Sequence, residues 1–384
     1  MSNETRKAFS DTYGHQGSVR TYFCPGRINL IGEHIDYNGG FVFPAALTLG
    51  ITACISKRED GVVRFSSTTI PGTVEIRLNE TLENKPSQHW ANYPIGVLAF
   101  LQKEGYTLSG ADVMFSSNLP DGAGVSSSAA IEVLTAFMFL AENGHPEPDR
   151  VWLSIFAQKV ENQFIGVNCG IMDQFSVANG KAGQGILLNC NNLEFRYVPM
   201  NLGNYRLVIL NTKKRRELAD SKYNERRAEC DEALAILNQT ETFPDLCSAT
   251  FDAVESLISD PVIRARATHV VAENQRVIEA CKVLEAGNLE RFGQLLNESH
   301  FSLRDLYAVT GKELDVITDA ARLHPGCLGA RMTGAGFGGC GIAIVDKESI
   351  PDFSRVVSET YEAACGWAPS VYVSEIGEGV RQLD

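Results

Sequence analysis

The chain has 384 residues, 44% of them hydrophobic, a formal net charge of −13 and a pI near 5.1. That length allows two domains and a large core, in the composition of an ordinary globular protein. An acidic chain of this kind lacks the clustered Lys and Arg of a nucleic-acid binder, and no apolar run reaches membrane-spanning length.

The N-terminus, MSNETRKAFSDTYGHQG, is polar and has no apolar signal-peptide core. The ten cysteines are scattered, without a C-x-x-C pair, so they read as reduced, small apolar side chains. A cytoplasmic protein is expected. The one basic run, Lys213-Lys214-Arg215-Arg216, reads as a solvated turn.

Four segments carry the β-branched and aromatic residues of strands: VRTYFCP (19–25), TLGITACISKR (48–58), VVRFSSTT (62–69) and TVEIRLN (73–79). A helix is expected over WANYPIGVLAFLQKEG (90–105), then a strand over DVMFSSN (112–118). The loop LPDGAGVSSSAA leads into a helix from Ser127 to Ala141. A second helix, Asp149 to Phe164, repeats Leu153, Phe156, Val160 and Phe164 at helical spacing, with Glu161 at its end in the last turn. Strands GILLNC (185–190) and YRLVILNT (205–212) come next. Residues 217–300 are mostly helical, and the last quarter alternates helix, strand, Gly-rich turn, strand, helix and strand. That order suits a second α+β domain with an antiparallel sheet. The boundary is expected near residue 185, giving domains 1–185 and 186–384.

Three stretches carry chemistry. In the loop, Gly122, Ala123 and Gly124 let the backbone approach a ligand closely, and Ser126, Ser127 and Ser128 add hydroxyls. A helix N-terminus offers free N–H groups and the positive end of a dipole, which suits phosphate. The plainer alternative is that the serines cap the helix and the glycines make a turn. No Gly-Lys-Ser/Thr follows, so the loop is not a Walker motif. Gly334, Gly336 and Gly339 match G-x-G-x-x-G but run into strand-like CGIAIVD rather than opening a helix, so a dinucleotide site fails its context.

The second stretch, CPGRINLIGEHIDYNGGFVFPAAL (24–47), crowds Arg27, Glu33, His34, Asp36, Tyr37 and Asn38 between apolar segments. Polar groups this dense need partners, which a sugar with several hydroxyls or a packed polar turn would provide. A metal at Glu33, His34 and Asp36 is disfavoured because strand alternation sends neighbouring side chains to opposite faces. In the third stretch, ENQFIGVNCGIMDQFSVANG (161–180), Asp173 stands among Ile171, Met172 and Phe175. A carboxylate in apolar surroundings needs a cation or donor, and Arg27 is the natural partner; the alternative is a surface Asp beside a turn.

Together with SKYNERRAEC (221–230) and GARMTGAGFGGCGIAIV (329–345), these stretches resemble the signature motifs of the GHMP small-molecule kinases. GRINLIGEHIDYNGGFVFPAAL is similar to the galactokinase signature in particular, and the likeness covers nearly the whole chain. The resemblance implies an α+β, two-domain GHMP-kinase fold with both substrates in the cleft between the domains. It implies a left-handed βαβ phosphate-loop unit in the N-terminal domain and a ferredoxin-like α+β domain at the C-terminus. The implied reaction is ATP- and Mg²⁺-dependent phosphorylation of the anomeric hydroxyl of D-galactose, giving galactose 1-phosphate and ADP, by a monomer.

Roles follow from the same resemblance. Asp173 would accept the proton of the anomeric hydroxyl, with Arg27 neutralising charge near the transferred phosphoryl. Glu33, His34 and Asp36 would hydrogen-bond the sugar, Gly170 would let the backbone approach it, and Tyr223 would close over it. Gly122, Ala123, Gly124, Val125, Ser126, Ser127 and Ser128 would cradle the ATP phosphates, with Trp90 near the adenine. Ser128 and Glu161 would hold Mg²⁺, and Gly334 to Gly339 would form a tight turn beside the phosphates. Val125, Ile35 and Cys24 stand where the family usually has leucine, threonine, and alanine or serine; none removes a functional group. A kinase for a related hexose such as N-acetylgalactosamine, or a non-catalytic sensor of galactose and ATP, are the competing readings. The intact SSSAA run favours catalysis over a sensor.

Overall fold

The computed structural model describes residues 2–14, 18–120, 122, 124–214 and 219–384, and it opens on a helix that the polar N-terminal composition hides. In α1 (Ser2–Tyr13), Thr5, Phe9 and Tyr13 recur every four residues and are buried. Phe9 and Tyr13 pack with Cys54 and Met114 of the sheet beneath.

The first sheet is built from β1 (Arg20–Ile31), β2 (Phe41–Arg58), β3 (Val62–Ser67), β4 (Thr73–Arg77) and β5 (Gly110–Ser117). Its order is β1-β2-β5-β3-β4, antiparallel except for the parallel pair β3 and β5, which α2 (Asn92–Lys103) helps to connect. Behind it lie α3 (Ser127–Glu142), α4 (Arg150–Val160) and α5 (Met172–Asn179). Every α3 residue from Ala129 to Glu142 is buried, as expected of a helix covered on all sides. The helix expected to reach Phe164 stops being α-helical at Val160 and continues as one π-turn, Glu161–Ile165. β6 (Gln184–Asn189) joins β2, and β7 (Phe195–Pro199) joins β6, so the first sheet reaches past residue 185.

β8 (Tyr205–Asn211) begins the second sheet, and α6 (Ala219–Leu237), α7 (Phe251–Leu257), α8 (Pro261–Glu285), α9 (Leu289–Asp305) and α10 (Gly311–Leu323) follow. The chain closes with β9 (Cys327–Thr333), β10 (Cys340–Asp346), α11 (Ile350–Cys365), β11 (Ser370–Ser374) and β12 (Arg381–Gln382). The second sheet runs β11-β8-β10-β9, wholly antiparallel. Counted within this domain the strand order is fourth, first, third, second, the ferredoxin-like arrangement the resemblance implies. Alternation divides its faces. Val208, Leu210, Ala343 and Val345 meet α10 and α11 in one core, while Leu207, Ile209, Ile342 and Ile344 face the other. The two-residue β12 returns to pair with β1, so the chain ends on the first sheet.

In the basic run, Lys214 ion-pairs with Glu313 at 3.2 Å; Arg215 and Arg216 lie outside the described residues. Among the described residues no helix is long and apolar enough to cross a membrane.

Candidate active site

Arg27 lies where β1 falls out of step with β2, between the pairs Pro25↔Gly50 and Arg27↔Ala46. A register irregularity re-aims a strand side chain. The guanidinium makes a two-pronged bond to Asp173, Nε to Oδ1 at 2.8 Å and Nη2 to Oδ2 at 2.9 Å. Its Nη1 donates to the Gly124 carbonyl at 2.7 Å. Arg27 is almost wholly buried, and the Asp173 side chain is 30% exposed, so the carboxylate keeps an open side. Asp173 sits in the first turn of α5, where the helix dipole favours negative charge. The sequence-expected partnership is present, and the reading of Asp173 as a surface residue beside a turn is not what the chain adopts.

The Gly-rich loop answers its own ambiguity. Gly122 takes a φ of 65° and Gly124 one of 68°. Both lie in the left-handed region that glycine enters without strain. Ser126 also sits there, at φ 62° and ψ 50°, a strained position for a residue with a side chain. Its hydroxyl makes no capping bond to α3; it donates to Asp173 Oδ2 instead. The helix therefore begins without the cap that the plainer reading required, leaving its first N–H groups for a ligand. Val125 is buried, with its carbonyl accepting from the Arg27 N–H at 3.1 Å. Ala123 lies outside the described residues.

Ser127 and Ser128 open α3 beside a cavity of about 230 Å³ that Trp90, Tyr93, Phe115 and Ile131 also line. Trp90 meets Phe115 edge to face, with ring centroids 5.7 Å apart. The pair gives the cavity a flat apolar wall.

A second cavity, of about 300 Å³, gathers Arg27, Glu33, His34, Asp36, Glu161, Gly170, Asp173 and Tyr223. The alternation argument against a shared site for Glu33, His34 and Asp36 does not hold. The chain leaves β1 at Ile31, His34 takes φ 61°, and a 3₁₀ turn starts at Asp36, so all three side chains reach one wall. Glu33 is buried and accepts from the Gly334 N–H at 2.7 Å. Burial raises its carboxyl pKa, opposed by Arg331 and Arg27. His34 is pushed down to about 3, first by burial and then by His269, so it is neutral. Its Nε2 faces the Ala335 carbonyl at 3.1 Å and must donate there. Nδ1 therefore accepts from the Tyr37 hydroxyl at 2.9 Å. Both ring nitrogens thus have protein partners. The Gly-rich third motif packs on this loop through Gly334 and Ala335, in the wall of the cavity that holds Glu33 and His34.

Asp36 is raised to about 7 by burial, then by the charges of Asp173 and Glu33. Gly170 explains how it fits: a methyl group there would collide with Asp36 Oδ2. The glycine makes room for the carboxylate, a use distinct from the backbone approach expected of it. Tyr223, on α6, covers the group with its ring 5.5 Å from that of His34 and 5.3 Å from that of Tyr37.

Glu161, at the start of the π-turn, is buried, and burial raises its pKa, opposed by the nearby Ser128 hydroxyl. Gln174 donates to the same carboxylate. Among the described residues no three His, Cys, Asp or Glu side chains converge as in a protein-only metal cage. A hydroxyl beside a buried carboxylate nevertheless fits Mg²⁺, which prefers oxygen, keeps waters and takes substrate phosphates.

Some participants escaped the sequence reading. The Ser126 bond to Asp173 needed the left-handed backbone to be seen. Gln174 is one residue beyond Asp173 and carried no signal. Arg331 and Glu273 did carry one: each is a charged residue in an otherwise apolar stripe, Arg331 between Ala330 and Met332, Glu273 three after Val270 and four before Val277. Both are fully buried beside the loop that bears Glu33.

Comparison with known proteins bears on this geometry. The galactokinase galactose-binding signature matches residues 7–57, the GHMP kinase N-terminal domain residues 92–181 and the GHMP kinase C-terminal domain residues 278–363. A galactokinase of Clostridium tetani is 51% identical over 99% of this chain and 97% of its own length. One of Bacillus subtilis is 46% identical over 100% and 99%. The structure of Lactococcus lactis galactokinase complexed with galactose superposes with a TM-score of 0.95, at 42% identity over 99% of each chain. Mevalonate kinase of Methanococcus jannaschii, at 20% identity, shares the fold, with a TM-score of 0.71 over 94% of this chain and 99% of its own.

Proposed function

The chain belongs to the galactokinase family of the GHMP kinases, and from that premise we propose how its residues phosphorylate galactose with ATP. Galactose occupies the cavity of Glu33, His34, Asp36, Gly170 and Tyr223, its anomeric hydroxyl turned toward Asp173. ATP occupies the neighbouring cavity, adenine against Trp90 and phosphates at the N-terminus of α3. Asp173 accepts the hydroxyl proton as the oxygen attacks the γ-phosphorus of ATP, the bond from that phosphorus to the β-phosphate oxygen breaks to release ADP, and Arg27 offsets the charge on the transferred phosphoryl group. The observation that carries this reading is the double reach of Arg27, which ties Asp173 in one cavity to the Gly124 carbonyl in the phosphate loop. Phosphoryl transfer depends on positioning and charge stabilisation, which a rigid bridge of this kind supplies.

Ser128 and Glu161 would hold Mg²⁺, which when bound neutralises charge on the ATP phosphates. Ser128→Ala is expected to raise the Mg²⁺ concentration for half-maximal activity by about tenfold or more. An unchanged Mg²⁺ titration of the initial rate would remove Ser128 from the ligand set.

Asp36 supplies a pH signature. A carboxyl that titrates near 7 is neutral below that pH and a pure acceptor above it. Since galactose hydroxyls donate to it, the KM for galactose should fall as pH rises through that value. Asp36→Asn should flatten that segment; a profile of the same shape in the variant would assign the titration elsewhere. All ten cysteines are free thiols, as in a reducing compartment, which supports a cytoplasmic enzyme.

A further inference from the structure

The sugar loop is held from behind by helices of the other domain. Glu273, on α8, is fully buried. Its Oε1 accepts from the Gly32 N–H at 2.9 Å, the Glu33 N–H at 3.4 Å and the Ser299 hydroxyl of α9 at 2.6 Å. Its Oε2 accepts from Arg276 Nε at 2.7 Å. One turn earlier on α8, His269 Nε2 donates to the Glu33 carbonyl at 3.2 Å, and its Nδ1 accepts from Ser302 at 2.8 Å. Arg331 completes the cluster, with Nη1 on the Asn29 and Leu30 carbonyls and Nη2 3.6 Å from Glu33 Oε1. The helix approaches so closely that a methyl group on Gly32 would lie 2.9 Å from Val277 Cγ2.

A buried carboxylate is a poor device for stability alone, because apolar side chains of similar volume often do as well. What it gives here is two fixed acceptors, one of them aimed at consecutive backbone donors just before the two side chains that face the cavity. We propose that Glu273 is a positioning residue for sugar recognition: presented by the second domain, it fixes the Gly32–Glu33 backbone so that Glu33 and His34 face the galactose cavity. This rests on Glu33 being a sugar ligand; His34, both of whose ring nitrogens are bonded within the protein, lines the cavity without a free nitrogen for the sugar.

The test uses Glu273→Gln, which removes the charge, and Glu273→Asp, which keeps the charge near Arg276 but withdraws it from the loop. Glu33→Gln runs beside them. Galactose affinity is measured by calorimetry, with the KM values for galactose and ATP, on variants whose circular dichroism matches the parent. Loss of a charge-assisted bond at the loop should weaken galactose binding about tenfold in both Glu273 variants, with the KM for ATP within about twofold. Unchanged galactose affinity in either folded variant, or a parallel rise in the KM for ATP, would overturn the proposal. If Glu33→Gln binds galactose normally, the sugar-ligand reading fails and the proposal with it. If Glu33→Gln weakens binding and the Glu273 variants do not, only the positioning role fails.

Discussion

Asp173→Asn is expected to lower kcat with galactose by about a thousandfold while leaving galactose binding measurable. Asparagine keeps the size and one acceptor, so Arg27 retains a partner and the cavity its shape. It lacks the basicity to take a hydroxyl proton. Ser126, which donates to Asp173 Oδ2, needs only an acceptor and can keep its bond to the amide oxygen. The loss therefore falls on kcat rather than on KM, which is what an interaction formed only in the transition state predicts. Steady-state kinetics with calorimetric galactose binding checks it. Turnover within a few-fold of the parent would mean that Asp173 orients the hydroxyl without accepting its proton.

Arg27→Lys is expected to cost about a hundredfold in kcat. One ammonium cannot reproduce the two-pronged contact with Asp173 and the bond to the Gly124 carbonyl together. The same change should lower stability by about 2 kcal/mol. That is below the usual cost of breaking a buried pair, because the Asp173 side chain is 30% exposed. Rapid-quench kinetics and urea unfolding separate the two effects. If stability falls and kcat holds, Arg27 is only a structural brace. A kcat loss with parental stability places its role wholly in the reaction.

How much of this was readable without coordinates differs by residue type. The second domain was legible because strands such as LVILN and GIAIV bury both faces, and their continuous apolar runs stand out between turns. The helix at Ser2–Tyr13 was not, since of its three buried positions Thr5 is polar and only Phe9 and Tyr13 break the polar run. β1 extends well beyond the expected strand because Arg27 and Asn29 are polar residues buried inside a ladder, which a pattern of apolar residues cannot reveal, and β2 begins earlier than expected across Pro44, a residue that argues against a central strand. β12, at two residues, carries no pattern at all. At the site, the motifs brought forward residues that the fold gathers around two neighbouring cavities, but the reasoning about faces assumed a strand where the chain turns at His34. Tertiary partners explain the remainder. Ser126 reads as a helix cap until its hydroxyl is seen on Asp173, and Glu273 reads as a flaw in an apolar stripe until Gly32 is seen against it.

The most direct test is ADP release with ATP and Mg²⁺ across galactose, glucose, mannose, N-acetylgalactosamine and galacturonate. Turnover with galactose well above the other four is the predicted result. No ADP release with galactose, whether or not another of the sugars turns over, would contradict it.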